Sequence, residues 1–296
     1  MLRKLHIALS MLLLVKGVVG QQDPLAEALR KYQEGALNES RALVEEAVLS
    51  PRYARDPEAW LLRGFILKDL YKSHSAEPRG DTLRDEALAS LSTCLDLDTG
   101  LVYQDNATQA FEFLTKTCYN DAAKALNDLL PERAEALYLK YKRHAARTGG
   151  IPDEKAKEVE FYNALGTVHT KLYNQDRENL IWYDRALVTY HAVLKMDPEN
   201  YGANYNLATL YYNRGVYNIQ RVDVENDIPS LQRIQEVSRE FFLEALPFML
   251  KAFEMNPKRK ETLLGLEGIY YSLQDPEKSE HYRSLFEQLG PQEEDR

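Results

Sequence analysis

The twelve residues from Asn204 to Gly215, NYNLATLYYNRG, restrict the fold more than any other stretch of this 296-residue chain. Leu207, Leu210 and Tyr211 fall at helical spacing and make one face of a helix apolar. Ala208 stands in the middle of that face with tyrosines around it. A small residue there lets a second helix approach closely. The stretch also has a second copy. AVLKMDPEN (192–200) and KAFEMNPKR (251–259) both close an amphipathic helix with Met, a short polar residue and Pro, which cannot continue a helix. A helix with the same face follows each, and Leu207, Tyr211 and Tyr212 match Leu266, Tyr270 and Tyr271 at a constant separation of 59 residues.

Earlier copies stand upstream. EFYNALGTVHTKLY (160–173) puts Leu165-Gly166 where Leu207-Ala208 stand, and EAWLLRGFILKDLY (58–71) puts Trp60 and Gly64 at the matching spacing. Three second helices read EALASLSTCLDLD (86–98), RALVTYHAVLKMDP (185–198) and EALPFMLKAFEMNP (244–257). Each has Ala followed four positions on by a larger apolar residue: Ala87/Leu91, Ala186/Tyr190 and Ala245/Met249. Sustained apolar/polar alternation between turns, the mark of strands, is nearly absent.

These residues resemble the tetratricopeptide repeat, a helix pair of about 34 residues with Trp, Leu-Gly and Tyr on its first helix and Ala, an aromatic, Ala and Pro on its second. Trp60-x3-Gly64, Leu165-Gly166, Leu207-Ala208-x2-Tyr211 and Ala245-x6-Ala252-x4-Pro257 carry the resemblance. It implies an all-α fold, a right-handed α-solenoid of about six antiparallel helix pairs with lengthened helices. One such domain would cover 21–296, with the better-matched repeats at 56–98 and 154–290 and an irregular part at 104–148. The 59-residue separation exceeds one repeat, so the fifth pair carries an extension between Gly215 and Ala245. NDIPSLQRIQEVSREFFLEALPF reads as a long helix starting at Pro229, capped by Asp227 or Asn226 and kinked at Pro247. The turn formers from Ser73 to Asp81 read as a surface loop, and extra residues fall at Asn174 to Asn179.

The N-terminus reads as an export signal over residues 1–20: MLRKLH is basic, IALSMLLLV is a nine-residue apolar run, and VVG precedes Gln21. A mitochondrial presequence is the runner-up. No apolar run reaches the roughly 20 residues that a bilayer span requires. The expected location is periplasmic or secreted. The formal charge is −9, and removing Arg3, Lys4 and Lys16 with the signal leaves −12. An acidic body lacks the Lys/Arg stripes that phosphates require, so no nucleic-acid partner is expected. Cys94 and Cys118 could pair in an exported chain, but two cysteines on separate helices fit core positions better. Asn38-Glu-Ser40 and Asn106-Ala-Thr108 match the glycosylation acceptor pattern.

Catalytic patterns are missing. The six histidines, His6, His74, His144, His169, His191 and His281, show no metal-ligand spacing. His169 and His191 fall on successive helices of the fourth pair and could meet. No nucleophile elbow, P-loop or dinucleotide glycine motif occurs. The carboxylates alternate with Lys and Arg, as in EKAKEVE from Glu154, which reads as a solvated face. No enzyme, cofactor or metal is expected. The family register turns Asn163, Thr167 and Lys171 of the fourth first-helix toward the groove of a solenoid. It adds Tyr205, Asn206, Thr209, Tyr212 and Asn213 of the fifth, and Leu264 and Tyr271 of the sixth. Tyr212 and Tyr271 fit packing on a following helix equally well. The carboxylate clamp of some tetratricopeptide domains is not matched, because Asn163 and Thr167 stand where Lys and Asn would be, and Glu261 and Gly265 where Lys and Arg would be. The reading is a non-enzymatic adaptor holding a protein or peptide, with an envelope complex among its possible settings. The alternative is a structural subunit of a secretion, assembly or outer-membrane complex, held in part through the apolar stretch Phe241 to Leu250.

Overall fold

The structure is a computed structural model of the chain and describes residues 23–75, 77–221 and 228–290. The predicted signal segment and the predicted cap at Asn226 or Asp227 lie outside the described residues. Among those residues the fold is all-α, without a strand. Twelve helices run in consecutive pairs: α1 (Pro24–Gln33) with α2 (Leu37–Leu49), α3 (Pro57–His74) with α4 (Pro78–Leu97), and α5 (Gln104–Asn127) with α6 (Pro131–Ala145). Then come α7 (Glu154–Gln175) with α8 (Leu180–Met196), α9 (Tyr201–Gln220) with α10 (Ile228–Met255), and α11 (Lys260–Ser272) with α12 (Pro276–Gln288). This is the paired-helix fold of a tetratricopeptide-like solenoid. The chain groups into two compact units, one up to Leu114 and one from Thr115.

Local chemistry sets the helix ends. Asp23, Asp56, Asn179, Asn200 and Asp275 each accept a backbone N–H with the side chain and so cap α1, α3, α8, α9 and α12. Pro24, Pro57, Pro131 and Pro276 sit in first turns, where a missing N–H costs nothing. Three pairs turn alike. Gly35, Leu129 and Gln274 take positive φ at 79°, 56° and 61°. In each turn the next N–H bonds back to the carbonyl five residues earlier: Ala36 to Lys31, Leu130 to Ala125, Asp275 to Tyr270. This is the Schellman ending, which favours Gly because other residues strain there.

In the first unit, Leu91 packs on Gly64 so closely that a Cβ on that glycine would lie 2.7 Å from the leucine side chain. Around them Ala59, Ile66, Leu67, Leu88, Leu114 and Cys94 are fully buried. In the second unit, the Tyr190 ring occupies the gap left by Gly166, where a Cβ would come within 2.6 Å of it. Leu207 and Ala208 are fully buried, as the opening pattern implies, and Tyr211 stacks on Phe248 at 6.2 Å. Each fully buried apolar side chain contributes about 1.5–3 kcal/mol before entropy is charged.

Several expectations need correction. No loop spans Ser73 to Asp81: α3 continues to His74, and α4 starts at Pro78. The turn formers begin a helix instead, and Gly80 sits where a Cβ would be 2.6 Å from the His74 carbonyl oxygen. The long helix starts one residue earlier than expected and continues through Pro247 to Met255. Its apolar stretch is packed in part, and Leu243 remains 45% exposed. Phe242, Ala245 and Met249 are buried, Phe241 meets Tyr183 edge-on at 6.4 Å, and Phe248 lies between Tyr211 and His191. The histidines do not meet, because His191 faces Phe248 at 5.8 Å while His169 bonds Thr189 at 3.2 Å. Cys94 and Cys118 are buried thiols, each in the core of its own unit. Burial, aided by Asp98 and Asp56, pushes the Cys94 thiol up to about 12, which removes it as a nucleophile at neutral pH.

Candidate binding site

The first helices α7, α9 and α11 come together through named contacts. Asn163 of α7 donates Nδ2 to Asn200 Oδ1 at 2.9 Å, and Asn200 Oδ1 in turn caps α9 through Ala203 N at 3.0 Å. Tyr201 of α9 shares a 2.7 Å hydrogen bond with Thr262 of α11. Most of the polar residues projected onto this face are half-buried and also bond within the protein. Thr167 donates to the Asn163 carbonyl at 3.0 Å, and Thr167, Thr170 and Asn206 surround the Tyr190 hydroxyl with hydrogen bonds. Tyr205 stacks on Tyr201 at 6.0 Å and bonds Thr209. The Tyr212 ring lies 5.5 Å from Phe242, with its hydroxyl over Gly268 of α11. Asn213 is half-buried and Lys171 exposed. Tyr271, the repeat mate of Tyr212, is 77% exposed, and Leu264, two turns before it on α11, is also exposed.

The open space of the second unit lies elsewhere. A cleft of about 840 Å³ opens between α6 and α8 with α7 as its floor. From α6 come Glu132 and Glu135, from α7 Glu158, Tyr162, Leu165 and His169, and from α8 Asp184, Arg185, Val188, Thr189 and Lys195. The helical repeat explains the wall: Asp184, Val188 and Lys195 fall at i, i+4 and i+11 and share one side of α8. Val188 is 71% exposed, an apolar side chain standing in the cleft rather than in the core.

Charge in the cleft is unbalanced. Glu132 is ion-paired with Arg185 from the opposite wall, and Glu158 bonds Lys142 at 2.9 Å. Among the described residues Glu135 and Asp184 make no ion pair. His169 adds no positive charge near neutrality, because burial and then the nearby Arg185 hold its imidazole down to about 4. The Thr189 hydroxyl donates to the Arg185 carbonyl at 2.7 Å and lies 3.2 Å from His169 Nδ1. The Trp182 ring closes this corner, 5.8 Å from the His169 ring and 4.9 Å from the Arg185 guanidinium.

Helical periodicity does not reveal this cleft. Its walls come from α6, in the pair that matches the repeat least well, and from an apolar position of α8 outside the packing stripe. Val188 was the one available signal. Among the described residues no group of three or more His, Cys, Asp or Glu is arranged to hold a metal ion, and no helix is long and apolar enough to cross a membrane.

No protein-family model matches the chain, and no curated protein matches it. Among solved structures it is similar to monomeric mutants of IFIT1 bound to the capped RNAs m7Gppp-AAAA and Gppp-AAAA. Both are 14% identical to it with a TM-score of 0.37, and the matches cover 89% and 90% of this chain. The chain spans 59% of the length of those structures.

Proposed function

We propose that this protein is a non-enzymatic binding scaffold, and that the α6–α8 cleft seats a basic, partly apolar segment of a partner protein. One observation carries the reading: Val188 stands exposed in a cleft flanked by Glu135 and Asp184, neither of which has an ion-pair partner among the described residues. A partner Lys or Arg beside a Leu or Met would cover the valine and neutralise the carboxylates together. The acidic body argues against a nucleic-acid partner. The N-terminal pattern of residues 1–20 makes the cell envelope the proposed location.

Selection from a random displayed peptide library tests the cleft. The wild-type chain should enrich basic, apolar peptides, and the Glu135→Lys/Asp184→Lys variant should bind the selected peptides about ten-fold or more weakly, as expected for two lost charge pairs turned repulsive. A selection with no basic bias, or affinities unchanged in the variant, sinks the reading. A second reading keeps the partner on α11, where Tyr271 and Leu264, two turns apart, are both exposed. Peptides lost on Tyr271→Ser substitution and retained in the cleft variant would favour it.

A further inference from the structure

A second feature of the same unit lies away from the cleft, where the turn after α7 meets the last turns of α9. The Tyr217 ring there is approached by three guanidinium groups: Arg177 and Arg214, each 5.5 Å from the ring centroid, and Arg221 at 5.6 Å. The negative ring face attracts each of them. Among the described residues, one carboxylate pairs with this group of three, and it pairs with Arg221 alone. Glu178 accepts the Tyr217 hydroxyl and pairs with Arg221 at 2.8 Å. Arg214 is fixed by neutral acceptors, the Tyr173 hydroxyl and the Arg177 carbonyl, both at 3.2 Å. Among the described residues Arg177 has no carboxylate partner and no side-chain hydrogen bond. Asp176, also in this turn, accepts the Glu178 N–H at 3.3 Å.

Three cations gathered on one ring repel one another, and this happens in a chain with a formal charge of −9, where carboxylates are plentiful. The cluster is also held in place: Arg214 is bonded to two groups and Tyr217 to a third. Guanidinium forks in fixed positions suit carboxylates, which accept two N–H groups at once. The three charges surround one ring, so no two lie more than about 11 Å apart. Carboxylates at alternate positions of an extended chain lie about 7 Å apart on one side, which fits that spread. A single small ion would reach fewer of the groups.

We propose that Arg177, Arg214 and Arg221 around Tyr217 form a recognition site for an acidic peptide segment, one carrying two or more closely spaced Asp or Glu side chains. Glu178 occupies part of the site in the free protein and competes with the ligand for Arg221.

The test uses the whole chain and a fluorescent tetraglutamate peptide at low ionic strength, with tetraglutamine as the neutral comparison. Tetraglutamate should bind and tetraglutamine should not, and the affinity should fall as salt is added. Arg177→Gln, which removes only the ring contact to Tyr217, should weaken binding at least five-fold. Glu178→Gln should strengthen it several-fold. Lys155→Gln, an equal charge change on exposed α7 surface, should leave it unchanged. Absence of tetraglutamate binding overturns the proposal. So does an equal loss in Arg177→Gln and Lys155→Gln, which would mean diffuse attraction. Full displacement by inorganic phosphate at the peptide's own concentration overturns the assignment to a peptide.

Discussion

At the scale of single residues, the packing is set by small side chains facing large ones. Tyr190 is buried over Gly166, and a methyl group there would lie 2.6 Å from its ring. Gly166→Ala gains roughly 1 kcal/mol of helix propensity but overpacks a rigid ring, which costs about 1–3 kcal/mol. The expected outcome in urea denaturation is net destabilisation, and much less of it in the background of Tyr190→Leu. A wild-type-like stability for Gly166→Ala alone would show that the ring can move aside. The opposite logic holds at Gln274, a non-glycine residue at φ 61° in the turn of the last pair. Gln274→Gly should raise stability by up to about 1 kcal/mol, because the strain of the left-handed conformation exceeds the added freedom of the unfolded chain. Sequence reading could not find this turn or the one at Leu129, since neither residue advertises positive φ. The Gly35 turn uses the same hydrogen bonds and shows what the other two imitate.

Helix ends and helix lengths make up the next scale. Asn200 caps α9 and holds Asn163 of α7 with the same oxygen. Asn200→Ala should therefore cost about 1–2 kcal/mol, more than an isolated cap, because Asn163 loses its partner as well. A chemical-denaturation midpoint unchanged by the substitution would refute the shared role. Within α10 the burden of packing is uneven. Ser238, Phe242, Ala245, Met249 and Ala252 are its buried residues, and the turns before Ser238 have none. Amide exchange should be fast from 228 to 237 and slow from 241 to 255. Uniform protection along the helix would mean that the first turns are covered in solution. The recurring spacing made the helix pairs legible, because Gly or Ala opposite a large residue is forced by close helix contact. It misled at Ser73 to Asp81, where Pro and Gly start α4 instead of forming a loop. The cleft stayed hidden because Glu135 and Val188 lie 53 positions apart, on helices whose mutual facing no periodicity encodes.

For the molecule as a whole, ionisation couples the fold to pH at both ends of the scale. The imidazole of His169 titrates near 4 in the folded protein against an ordinary 6.5. Its contribution is therefore complete above about pH 6.5 and is lost as pH falls toward 4, because the unfolded chain takes up the proton first. The loss amounts to about 3 kcal/mol once both states are protonated, and to about 2 kcal/mol at pH 5. His169→Gln should flatten the difference between stabilities measured at pH 7 and pH 5, and an unchanged difference would remove His169 as its source. In alkali the phenols take over. Burial pushes Tyr53 and Tyr103 up to about 12 and raises Tyr138 and Tyr183 as well, while phenols in an unfolded chain ionise near 10. The rings that fill the core are thus also latent acids, and above pH 10 they favour the unfolded chain by releasing protons there. An alkaline titration followed in the ultraviolet should show one group of tyrosines turning to phenolate gradually. The rest should convert in a single step that coincides with the loss of helical signal, so the protein's own colour would report its collapse.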